Sequence, residues 1–113
     1  MKIFQRFRFE AAHRLPKVAP DHKCFNMHGH SYEVELVFEG KIEEDGMVVD
    51  FADNEDLWVP LHEALDHQVL NDRIDNPTAE NIAAWIADKW MGFGLVRVTV
   101  WETKDCGAIW EAS

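Results

Sequence analysis

Residues 23–30 read KCFNMHGH, so a thiol stands four positions before the first of two imidazoles separated by one glycine. On an extended chain His28 and His30 project to the same side, about 7 Å apart in Cα, which suits two ligands of one ion. His13 closes an earlier alternating stretch on its core-facing parity and can join them by antiparallel pairing. Three neutral imidazoles without a fourth protein ligand form the donor set of a catalytic zinc, which keeps one position for water or substrate. The plainer alternative is a set of ordinary half-buried histidines. Cys24 has three readings: a buried structural thiol, a thiolate base or nucleophile, or a fourth ligand that closes the metal site. Asp66–His67, in LDHQVLN, is either a histidine favoured by a helix C-terminus or an imidazole whose tautomer a carboxylate fixes for proton transfer. Glu102 extends the apolar parity of a valine-rich run, where a carboxylate needs a partner: an interior arginine, or a ligand presenting adjacent N–H groups.

The elements that must position these groups are legible as patterns. Residues 2–13 alternate as a strand, with Ile3, Phe7, Phe9 and Ala11 on one parity and Phe4 and Gln5 breaking the pattern. Residues 14–27, with Pro16 and Pro20, read as a loop. Residues 28–39 alternate more cleanly, and His28 and His30 share the parity of Tyr32, Val34, Leu36 and Phe38. MVVDF (47–51) is a short strand candidate after the EEDG turn signal. Leu57, Leu61, Ala64 and Leu65 have helical spacing, with Asp53 or Asn54 as the expected cap and a kink or late start at Pro60. A second helix is capped by Thr78 and striped by Ile82, Trp85, Ile86 and Trp90. LVRVTVWE (95–102) and AIWEA are the last strands. Strands segregated from helices predict an α+β fold with both helices on one face, and unpaired edges predict association.

The chain has 113 residues, the size of one domain, with 47% hydrophobic and 28% charged residues. A net charge of −10, from 21 acids against 11 bases, disfavours nucleic acid and anionic membranes as partners. No apolar run approaches a membrane span and no signal-peptide layout is present, so the expected compartment is the cytoplasm, with Cys24 and Cys106 as free thiols.

FEAAHRL (9–15), KCFNMHGHSYEVE (23–35), GMVVDF (46–51), LDHQVLN (65–71), NPTAEN (76–81) and VWET (100–103) together resemble the 6-pyruvoyltetrahydropterin synthase superfamily. The three-residue gap between cysteine and HGH resembles its bacterial 6-carboxy-5,6,7,8-tetrahydropterin synthase branch. The resemblance implies the tunnelling fold, a four-stranded antiparallel sheet with two helices on one face. It also implies oligomeric barrels, commonly homohexamers, with active sites between subunits.

The same resemblance implies zinc on His13, His28 and His30, and a proton-transfer triad of Cys24, Asp66 and His67 completed across a subunit interface. Glu102 and Thr103 would bind the pterin. The implied reaction converts 7,8-dihydroneopterin triphosphate to 6-carboxytetrahydropterin with loss of acetaldehyde and triphosphate, on the route to 7-deazaguanines such as queuosine. Arg14, Lys17 and Lys23 are candidate triphosphate cations. The rivals are a sister pterin side-chain lyase of the same fold and a non-catalytic zinc- or pterin-binding oligomer.

Overall fold

Two twelve-residue strands dominate the computed structural model, which describes residues 1–113. β1 (Lys2–His13) and β2 (His28–Glu39) pair antiparallel along their whole length, from Lys2 opposite Glu39 to His13 opposite His28. β2 then pairs with β4 (Leu95–Trp101), and β4 with β5 (Gly107–Glu111), both antiparallel. The alternation predicted for β2 is realised: Tyr32, Val34, Leu36 and Phe38 are all fully buried. The two breaks in the β1 pattern have separate explanations. Gln5 is on the inner parity, where its amide donates to Phe51 O and its Oε1 accepts from the buried Asn54. Phe4 is on the outer face and stays exposed.

α1 (Phe51–Leu65) and α2 (Ala79–Lys89) complete the fold. Trp58, Leu61 and Leu65 from α1 and Ile82, Ala83 and Ile86 from α2 join Phe9 and the β2 residues in one core. Each buried leucine, isoleucine, valine or phenylalanine among them contributes about 1.5–3 kcal/mol of transfer free energy. Thr78 caps α2 as predicted, its Oγ1 accepting from Asn81 N at 3.1 Å.

Three expectations are corrected. First, the sheet has five strands and is mixed, with a short β3 (Gln68–Val69) giving the order β3-β1-β2-β4-β5. β3 runs parallel to β1 against Ala11 and Ala12, because the chain leaving α1 turns through His67 at φ 56° and lies on the open edge of β1. Second, MVVDF is not a strand. Asp50 within it is the N-cap of α1, its Oδ1 accepting from Ala52 N at 2.9 Å, so Asp53 and Asn54 are already inside the helix. Third, α1 runs unbroken through Pro60, which removes the hydrogen bond to the carbonyl of exposed Asp56.

The β4–β5 connection leaves no room for a side chain where β5 begins. A Cβ built on Gly107 would stand 2.2 Å from Val100 O, with no flexible side chain to yield. Gly107→Ala is therefore expected to destabilise the protein by about 2 kcal/mol through overpacking. A urea transition at the wild-type midpoint would contradict this. The same turn seats Glu102, whose N–H donates to Cys106 O at 2.9 Å.

Candidate metal centre and active site

The β1–β2 register sets His13 opposite His28 and Ala11 opposite His30, so three imidazoles meet where the two strands end. Their ring centroids are 4.6, 4.9 and 5.1 Å apart. His13 is fully buried. Its Nδ1 lies 2.7 Å from Pro77 O, and His28 Nδ1 lies 2.7 Å from Asn26 O. A carbonyl oxygen only accepts, so both Nδ1 atoms carry the proton and both Nε2 atoms present lone pairs. Those two Nε2 atoms face each other at 3.1 Å. Two lone pairs at that separation repel unless a cation lies between or beside them. His30 Nε2 is buried without a hydrogen-bond partner, although Glu102 Oε1 lies 3.0 Å away. The donor atoms of His13, His28, His30 and Glu102 all lie within 4.8 Å of one another. Fixed tautomers, opposed lone pairs and an orphaned nitrogen fit a metal ion, with carbonyls in the supporting role usual for ligating histidines.

Glu102, expected from the sequence to bind the pterin, also stands beside the three imidazoles. It stands one residue beyond β4, where the parity of Val98 and Val100 carries its carboxylate to the inner side. Burial holds the His13 and His30 imidazoles below the ordinary histidine range, the nearby Glu102 carboxylate opposing it. Burial, reinforced by Glu102, raises the Tyr32 phenol far above its usual range, so its hydroxyl stays protonated 3.2 Å from His13 Nδ1.

A histidine with a lowered folded pKa favours the native state above its unfolded value near 6.5, and that contribution is lost as pH falls below it. His67 has the opposite sign, but it is exposed and its partner interactions are screened. Metal-free protein should therefore show a lower urea midpoint at pH 5.5 than at pH 7.5. Equal midpoints would contradict this assignment.

Asp66 caps the C-terminus of α1. Its Oδ2 lies 2.7 Å from His67 Nδ1, and its Oδ1 accepts the Glu10 backbone N–H at 2.8 Å. These bonds, the Glu10 N–H first, hold its carboxyl below the usual range. The hydrogen bond and charge of Asp66 raise the His67 imidazole. Two open clefts flank His30. One of about 510 Å³ runs past Glu10, Ser31 and His67, and one of about 660 Å³ past Arg6, Trp101, Glu102 and Thr103.

Cys24 sits in a 3-10 turn (Lys23–Phe25), half-buried, and borders neither cleft. It is also absent from the group of converging donors. Cys24 and Cys106 are free thiols. Of the candidate phosphate cations, Arg14 stacks on Phe25 at 4.9 Å and Lys17 pairs with Asp75 at 3.5 Å. With Lys23 they line neither cleft.

Residues 2–113 match the family described as 6-pyruvoyl tetrahydropterin synthase. A Synechocystis protein named 6-carboxy-5,6,7,8-tetrahydropterin synthase is 41% identical over 95 residues, 77% of this chain and 72% of its own length. A Pyrococcus furiosus protein named dihydroneopterin monophosphate aldolase is 35% identical over 111 residues, 94% of this chain and 93% of its own. The structure of Caenorhabditis elegans 6-pyruvoyl tetrahydropterin synthase superposes with a TM-score of 0.90 at 26% identity, covering 100% of this chain and 96% of that one. Family match, relatives and superposition agree with one another, and the chain belongs to the 6-pyruvoyl tetrahydropterin synthase family.

Proposed function

We propose that this chain is a zinc-dependent 6-carboxy-5,6,7,8-tetrahydropterin synthase, acting on 7,8-dihydroneopterin triphosphate in 7-deazaguanine (queuosine) biosynthesis. The observation that carries this reading is the convergence of three Nε2 atoms beside a cleft that the Asp66–His67 pair also lines. His13, His28 and His30 would hold the ion. When bound, a divalent metal polarises the oxygens of the substrate side chain and eases proton removal and carbon–carbon cleavage. Asp66 fixes the proton on His67 Nδ1 and leaves Nε2 to exchange protons with substrate. Cys24 Sγ supplies the second proton-transfer group, from a neighbouring subunit. Glu102 and Thr103 line the second cleft, where the carboxylate can accept N–H groups from the guanidine-like edge of a pterin.

Residues 1–113 would form one such domain, assembled into a homohexameric barrel with sites between subunits. β1 is covered by β3 only at Ala11 and Ala12, and β5 is the other open edge, so both sides of the sheet offer backbone for pairing. No helix is long and apolar enough to cross a membrane. The two free thiols suit a reducing cytoplasm.

A second reading draws on the scarcity of cations. The clefts contain only Arg6 and Lys104 as basic residues of the Lys/Arg type, and Arg6 Nε already bonds Glu35 at 3.0 Å. That favours a substrate with fewer phosphates, cleaved by the same residues. The deciding experiment incubates metal-loaded protein with dihydroneopterin triphosphate and monophosphate separately and identifies products by mass spectrometry. 6-Carboxytetrahydropterin with acetaldehyde supports the synthase. A side-chain-cleaved pterin formed only from the monophosphate replaces it with the aldolase reading. No product from either leaves a binding protein.

A further inference from the structure

We propose that Glu10, steered by Ser31, is a second carboxylate acting on His67, a positioning residue for proton transfer that complements Asp66 from the neighbouring strand. The inference rests on the proposed role of His67 and deepens it.

On the outer face of the sheet the cross-strand partners form a ladder. Arg6 pairs with Glu35 at 3.0 Å and Arg8 with Glu33 at 3.2 Å, each directly opposite in register. The next rung is Glu10 opposite Ser31. Here the partner is a hydroxyl, not a cation: Ser31 Oγ donates to Glu10 Oε2 at 2.6 Å. That bond fixes the direction of the carboxylate without neutralising it. Glu10 and Ser31 both line the 510 Å³ cleft together with His30 and His67.

The backbone of Glu10 ties the same residue to the pair it faces. Its N–H donates to Asp66 Oδ1, and its C=O accepts from the His67 N–H. His67 is the one non-glycine residue at positive φ, 56°. That conformation costs on the order of 1 kcal/mol for an L-residue, and it persists where flanking bonds impose it. One residue of β1 thus fixes both members of the pair by its main chain, and its charged side chain lines the cleft that the imidazole also borders. The groups facing His67 are Asp66 on Nδ1, Glu10 from β1, His62 (3.7 Å from Asp66 Oδ2) from α1, and His30 across the cleft from β2. Among the causes that raise His67, the Glu10 charge acts in the same direction as the stronger Asp66 bond.

The test is the titration of His67 followed by imidazole NMR in isotopically labelled protein, the resonance assigned with His67→Gln. Glu10→Gln keeps the shape and can still accept from Ser31, but removes the charge. Ser31→Ala keeps the charge and removes its tether. The His67 midpoint is expected to fall in both variants, further in Glu10→Gln. The limb of the pH–rate profile set by His67 should move the same way, with KM within twofold of wild type. An unchanged midpoint in Glu10→Gln overturns the proposal. The NMR readout needs no turnover, so absence of pterin chemistry would count against the proposed function and leave this coupling to be judged separately.

Discussion

His28→Ala is expected to empty the protein of metal and abolish turnover while leaving a folded chain. The side chain lies at the first residue of β2, half-exposed, and contributes nothing to the apolar core that begins at Tyr32. What it does supply is a lone pair 3.1 Å from that of His13, with its tautomer held by Asn26 O. Loss of outer-shell partners alone typically lowers metal affinity 10–100-fold, so loss of a ligating imidazole should lower it by at least about 100-fold. Metal analysis after gel filtration checks this. A metal-to-protein ratio equal to wild type would remove His28 from the site. Because two opposed lone pairs become one, the metal-free variant should be no less stable in urea than metal-free wild type.

Cys24→Ala should behave in the opposite way, keeping its metal and losing roughly a hundredfold or more in kcat, the usual cost of deleting an acid–base group. The backbone around Cys24 is fixed independently of its thiol: its N–H donates to His22 Nδ1 at 3.0 Å and its O accepts from Leu15 N at 2.8 Å. Alanine can therefore occupy the position without moving the turn. Loss of metal from this variant would instead make Cys24 a ligand, and full activity would remove Cys24 from the proton-transfer group. The thiol borders neither cleft of its own chain, so its proposed role calls for a partner chain to bring it to His67. Cys24→Ala and His67→Ala chains, unfolded and refolded together, should regain activity that neither shows alone. Absence of rescue would mean that the triad closes within one subunit.

Much of the candidate site was legible because strand parity is a geometric rule. It placed His13, His28 and His30 on one side without reference to any relative, and it continued past β4 to put Glu102 inside. What parity does not show is distance. The approach of Glu102 to His30 follows from the turn that Gly107 and Cys106 build, a tertiary arrangement with no local signature. β3 escaped notice because two residues carry no periodicity, and its cause is one backbone conformation at His67. MVVDF misled because a short β-branched apolar run looks the same before a strand or before a helix cap. The side chain of Asp50 decides the matter, and its bond to Ala52 N exists only once the helix has begun.

The pairing of His13 with His28 reaches further than chemistry. Two long strands of similar alternation can pair in several offsets. A one-residue slip turns His28 and His30 to the outer face, and a two-residue slip keeps the face but parts His13 from His28 by about 7 Å. Only the native offset gathers the nitrogen atoms, so a bound ion favours that offset over its neighbours. At free metal a thousandfold above Kd the preference is about 4 kcal/mol. Metal uptake would then act as an inspection of strand alignment, and chains that fail it would be those without a reaction to perform.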